Sequence, residues 1–127
     1  MSIISRIQQI IIGSSDGVSK HESGHYVVSQ YYGYKVYGIE GNHCNVDIPQ
    51  GKPENYPVIL MSGIVGEGKP YGSDEGVCDM RQGKRMGYSE DDMKRGYDEC
   101  QRIMSIPEVK REHERISSIV RQRGEYK

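Results

Sequence analysis

Two histidines four residues apart, with a glutamate beside the first, make His21-Glu22-Ser23-Gly24-His25 the stretch of this chain best suited to chemistry. On a helix, positions i and i+4 are neighbours on one face, so both imidazoles can turn to a single metal ion. Zinc accepts imidazole nitrogen at about 2.0–2.1 Å, and a catalytic zinc keeps one position open for water. Bound water has its pKa brought towards ~7, and an adjacent carboxylate such as Glu22 can then take its proton. The plain alternative is a solvated helix that carries an incidental pair of histidines.

That chemistry needs a helix under the motif, and the flanking residues supply one. Ser14, Ser15 and Asp16 read as a turn with capping residues. Val18, His21, His25, Val28 and Tyr32 recur at helical spacing, and Gly33 is a natural left-handed stop. Ahead of it, Ile3, Ile4, Ile7, Ile10 and Ile11 predict an amphipathic helix over residues 1–13. Behind it, residues 34–49 predict two short strands about a Glu40-Gly41-Asn42 turn. Val36 and Ile39 lie in the first, Val46 and Ile48 in the second, and Pro49 closes it. The apolar run from Val58 to Gly68 reads as a buried helix with a close-packed face of small residues, a strand being the other reading.

From Ser89 onward the signals predict a helix pair over residues 89–124. Ser89 and Asp92 have capping-box spacing. Met93, Tyr97, Cys100 and Met104 form one stripe. Ser105 and Glu108 suggest a second capping box around Pro107, and Val109, Ile116 and Val120 continue to Gly124. His113 is expected on a solvated face. The whole is a single domain over residues 1–127, mainly α with a small β-hairpin or sheet (α+β).

The order of three segments resembles the FtsH-type zinc metallopeptidases. "HESGHYVVSQYYG" is similar to that family's HEAGHxxVxxxxG helix. "VILMSGIVGEGKPYG" looks like its small-residue helix, LAGRAAExxxxG, and "SDEGVCDM" resembles its GASNDL segment. The resemblance implies a zincin-like peptidase domain in which His21, His25 and Asp79 hold zinc and Glu22 is the general base. It also implies that the strand region over residues 35–48 binds an extended peptide, with Val36, Tyr37, Gly38 and Ile39 as the edge. On the residues alone, Asp74 and Glu75 share one Gly-rich segment with Asp79, so the third ligand stays open among them. Cys78, His43, Cys44 and the tyrosines Tyr26, Tyr31, Tyr32 and Tyr34 are further candidates for contacts near the metal, each with ordinary packing as its plainer reading.

Composition narrows the function classes. The net charge is −1, and Lys and Arg are interleaved with Asp and Glu, so no nucleic-acid partner is expected. No run is long enough to span a bilayer, and no GxxxxGK[ST] loop occurs. With ten Tyr, no Phe and no Trp, the core must rely on Ile, Val, Met and Tyr. Three scattered cysteines suggest a reducing, cytoplasmic setting rather than a disulfide framework. The resemblance implies, as the expected activity, zinc-dependent endopeptidase cleavage of unfolded or flexible chains without an ATPase of its own. Self-association is expected through the terminal helices. The alternative is a non-catalytic zinc-binding regulatory module that retains a peptidase fold.

Overall fold

Ser15 starts the motif helix. Its side chain accepts the Val18 N–H at 3.1 Å, and its extended backbone sets the chain into α1 (Asp16–Tyr31). The computed structural model describes residues 15–48 and 51–127; the helix expected over residues 1–13, together with Ser14 and Pro49, lies outside them. Gly33 ends α1 at φ 81°. Its N–H reaches Gln30 O at 2.9 Å and the Tyr34 N–H reaches Ser29 O at 3.0 Å, which closes the last turn.

The chain then makes β1 (Val36–Glu40), a turn through Gly41 and Asn42, and β2 (His43–Val46). Next come α2 (Tyr56–Glu67), a single 3-10 turn (Asp74–Gly76), α3 (Val77–Arg85), α4 (Glu90–Met104), α5 (Pro107–Arg123) and β3 (Glu125–Tyr126). The described chain is mainly helical with one three-stranded antiparallel sheet, ordered β2-β1-β3, so the α+β expectation holds. No helix among the described residues is long and apolar enough to cross a membrane.

The segment from Val58 to Gly68 is helical. It is apolar all round, and eight of its residues from Pro57 to Ile64 are buried, as suits a central helix. It packs between α1 and α4, and α5 packs against α1. One core cluster joins Val28 and Ile39 to Ile103, Ile116 and Val120; a second gathers Met61, Ile64, Met93 and Tyr97.

The Ser89–Asp92 box is complete: Asp92 N–H donates to Ser89 Oγ at 3.0 Å, and Ser89 N–H to Asp92 Oδ2 at 2.9 Å. The second box is corrected. Ile106 is the N-cap of α5 and has no side-chain bond. The Ser105 hydroxyl instead donates back to Gln101 O at 2.7 Å, because Ser105 closes α4. Ser105 stands one residue before the N-cap Ile106, outside the position from which a side chain caps α5. The short strand β3 was not foreseen. It is held by the Gly41 N–H to Gly124 O at 2.8 Å and by Tyr126, whose ring stands edge-on to Tyr26 with centroids 5.3 Å apart.

β1 is thus the middle strand where β3 pairs with it, at Ile39 and Glu40, so Ile39 offers no free edge to a peptide there. Ile39 is paired on both sides and fully buried. The outer strand on the side away from β3 is β2.

Candidate metal centre

The motif helix meets α2 at glycine. A Cβ on Gly24 would lie 2.2 Å from Ser62 O, one on Gly63 would lie 2.3 Å from His21 Nε2, and one on Gly66 would lie 2.5 Å from Lys20 O. Real side chains do not come that close, so the helices can approach to this distance only with glycine at all three positions. The contact carries α2's stripe of Ile59, Ser62, Gly63, Gly66 and Glu67 against the His21/His25 face, at the i, i+3, i+4 spacing of one helix face.

The expected ligands come together. The ligating atoms of His21, His25 and Asp79 all lie within 4.8 Å of one another. Asp79 arrives from the first turn of α3. Its Oδ2 is 3.1 Å from His21 Nε2 and 3.4 Å from His25 Nε2. Of the other two acidic candidates, Glu75 is exposed and pairs with Lys69 at 3.6 Å; Asp74 is exposed, and neither joins the cluster.

The opposite nitrogen of each ring is already engaged. His21 Nδ1 lies 2.8 Å from Glu67 Oε2, and His25 Nδ1 lies 2.9 Å from Ile59 O and 3.0 Å from Ser62 Oγ. These partners accept a proton from Nδ1, so Nε2 of each ring is the nitrogen that faces the common point beside Asp79 and that a metal could take in place of its proton. Metal-bound histidines characteristically hand their second N–H to a carboxylate or carbonyl. The donor set, two neutral imidazoles and one carboxylate, fits zinc.

Electrostatics follow from this crowding. Burial works against a charged His21, but its bonds to Asp79 and Glu67 prevail and lift its pKa to about 9. His25 is lifted in the same way, burial again being outweighed by Asp79. Burial would raise the Asp79 carboxyl, yet the two histidines hold it well below the usual carboxylate range. These three groups compete for protons at the point where a cation would replace them. Glu22 is different: its carboxyl is buried, and that burial raises its pKa against the pull of His25 and His21. A carboxylate raised in this way is a better base near neutral pH.

The site opens into a cleft of about 590 Å³. One wall is β2 and its flanks, through Asn42, His43, Cys44, Val46 and Ile48. The floor carries Ile59 and Leu60, and Cys78 sits exposed at the rim without joining the ligand cluster. The tyrosine on the cleft is Tyr56. Tyr31 and Tyr32 stack on each other, Tyr34 hydroxyl donates to Asn55 and Tyr26 packs on Tyr126.

His113 corrects another expectation. It is 8% exposed, and its Nε2–H donates to Lys20 O at 2.9 Å, one residue before His21. Sequence reasoning also left Glu67 without a role on His21. The signal was present in the stripe Gly63, Gly66 and Glu67, which must face whatever the small-residue face meets. Comparison of the chain with protein-family models, curated proteins and solved structures gives no match.

Proposed function

We propose that this protein is a zinc-dependent endopeptidase of the FtsH type, with a zincin-like arrangement of the motif helix. The observation that carries the reading is the convergence of His21 Nε2, His25 Nε2 and Asp79 Oδ2 on one point, with both Nδ1 atoms held from behind and the buried Glu22 opening onto the same cleft. The likeness of "HESGHYVVSQYYG" to the family's helix supports the same reading.

His21, His25 and Asp79 would hold the ion, which when bound supplies a Lewis acid that polarises a carbonyl and acidifies water. Glu22 takes the proton as water attacks the scissile carbonyl carbon, and passes it to the leaving amine as the C–N bond breaks. Glu67 and Ile59 keep the imidazoles turned to their task. β2 offers main-chain groups along one side of the cleft, and such an edge binds extended backbone with little demand on sequence. Substrates are accordingly unfolded or flexible chains.

The test is metal content by elemental mass spectrometry, followed by cleavage of an unfolded protein. One zinc per chain, with turnover abolished by Glu22→Gln while zinc is retained, supports the reading. Zinc held with no turnover in the wild type makes the chain a zinc-binding module instead. A folded protein that retains no zinc removes both.

A further inference from the structure

The peptidase chemistry gains from a hydrogen-bond donor beside the metal set. As water adds to the scissile carbonyl carbon, the C=O electron pair moves onto oxygen, and preorganised donors near that oxyanion are among the largest contributors to rate. The cleft's side-chain donors outside the ligand set are Asn42, His43, Tyr56 and Gln82, besides the weakly donating thiols. Tyr56 begins α2 and packs its ring edge-on against Tyr88, with centroids 6.1 Å apart. Gln82 follows Asp79 by three residues on α3, on the ligand's own wall. His43 starts β2 across the cleft, exposed, at the point where an extended chain on that strand would pass.

The hairpin fixes His43 there. It pairs with Glu40 across the strands, and Glu40 is tied to Lys127 at 2.8 Å. His43 and Glu22 line the same cleft.

We propose that His43 is a catalytic residue whose ring N–H donates to the oxyanion of the tetrahedral intermediate. This rests on the endopeptidase reading. Water adds at the carbonyl carbon and gives its proton to Glu22; the oxyanion so formed accepts the His43 hydrogen bond. The electron pair then returns to re-form C=O, the C–N bond breaks, and the amine leaves with the proton from Glu22. Peptide and water become acid and amine, and His43 neither gains nor loses a proton.

The experiment is steady-state cleavage of a fluorogenic peptide by zinc-loaded wild type, His43→Ala, His43→Gln and Glu22→Gln, with zinc content measured on each. His43→Ala is expected to lower kcat about 10²–10³-fold with KM changed less than threefold and zinc retained, and His43→Gln, which keeps an N–H donor, to recover part of the loss. If His43→Ala loses zinc or fold, His43→Gln decides: kcat reduced with zinc in place supports the role, and kcat within twofold of wild type overturns it. A His43→Ala protein with normal kcat, or with only KM raised, overturns it too while the peptidase reading stands. Wild type that holds zinc and cleaves nothing, or Glu22→Gln as active as wild type, overturns the peptidase reading and the role of His43 with it.

Discussion

His21 Nδ1 and Glu67 Oε2 lie 2.8 Å apart across the contact of two helices, 46 residues apart in the chain. The glutamate does not join the ligand cluster; it fixes which nitrogen of His21 carries the proton and which faces Asp79. Glu67→Ala should therefore weaken zinc binding about 10–100-fold without unfolding the protein. Competition against a chromogenic chelator measures it. Affinity equal to wild type would mean that packing alone orients the His21 ring.

Gly24 and Gly33 sit on the same helix and its end, and they should respond differently to alanine. At Gly24 the new methyl would lie 2.2 Å from a backbone oxygen, Ser62 O, which cannot swing aside as a side chain can. The helices must part, at a cost of about 1–3 kcal/mol or somewhat more, and the ligand geometry loosens with them. At Gly33 nothing lies within 4 Å, and the cost is the φ of 81° alone, about 1–2 kcal/mol. Urea denaturation gives both stabilities. Zinc affinity should fall for Gly24→Ala and hold for Gly33→Ala.

His113 gives the protein a pH dependence of definite sign. Burial lowers its pKa below the ordinary 6.5, with the bond to Lys20 O only partly opposing this. The unfolded chain then binds a proton at a pH where the native state does not, so stability falls as pH drops through 6.5 towards the folded value. Charged neighbours around it are Lys20, Glu114, Asp16 and Arg121. In chelator-treated protein His21 works the other way. Its folded pKa of about 9 exceeds 6.5, so its contribution is complete below 6.5 and is lost as pH rises towards 9. Denaturation midpoints across pH 5–9 should show both slopes. His113→Gln should flatten the acid one, and His21→Ala the alkaline one in metal-free protein.

The legible parts of this fold are those whose signals are local. The helix under His21 and His25 follows from spacing, from Ser15 at its start and from Gly33 at its end; the Ser89–Asp92 box follows from two residues three apart. What escaped depends on partners distant in sequence. His113 is flanked by Glu112 and Glu114 and reads as solvated, and only the Lys20 carbonyl, 93 residues earlier, explains its burial. β3 has two residues, too few to show a strand's alternation, and its pairing is what turns β1 from an edge into a centre. Glu67 looked like part of a sequence pattern rather than a partner, because its role exists only once glycines have brought α2 onto α1.

Asp79 offers the sharpest test of the site. Three acidic residues share its Gly-rich stretch, but only Asp79 places an oxygen near both Nε2 atoms, at 3.1 and 3.4 Å. The isosteric Asp79→Asn change keeps the shape and removes the charge that the two histidines and a divalent cation all require. Its loss of zinc affinity should exceed the ~10–100-fold expected for an outer partner such as Glu67. Glu75→Gln, which breaks only an exposed pair with Lys69 at 3.6 Å, should leave zinc binding within twofold. Calorimetric titration of zinc into each metal-free variant ranks them. An Asp79→Asn protein that binds zinc as the wild type does would mean that the cation is held by the histidines with some other group, and the three-ligand centre would have to be abandoned.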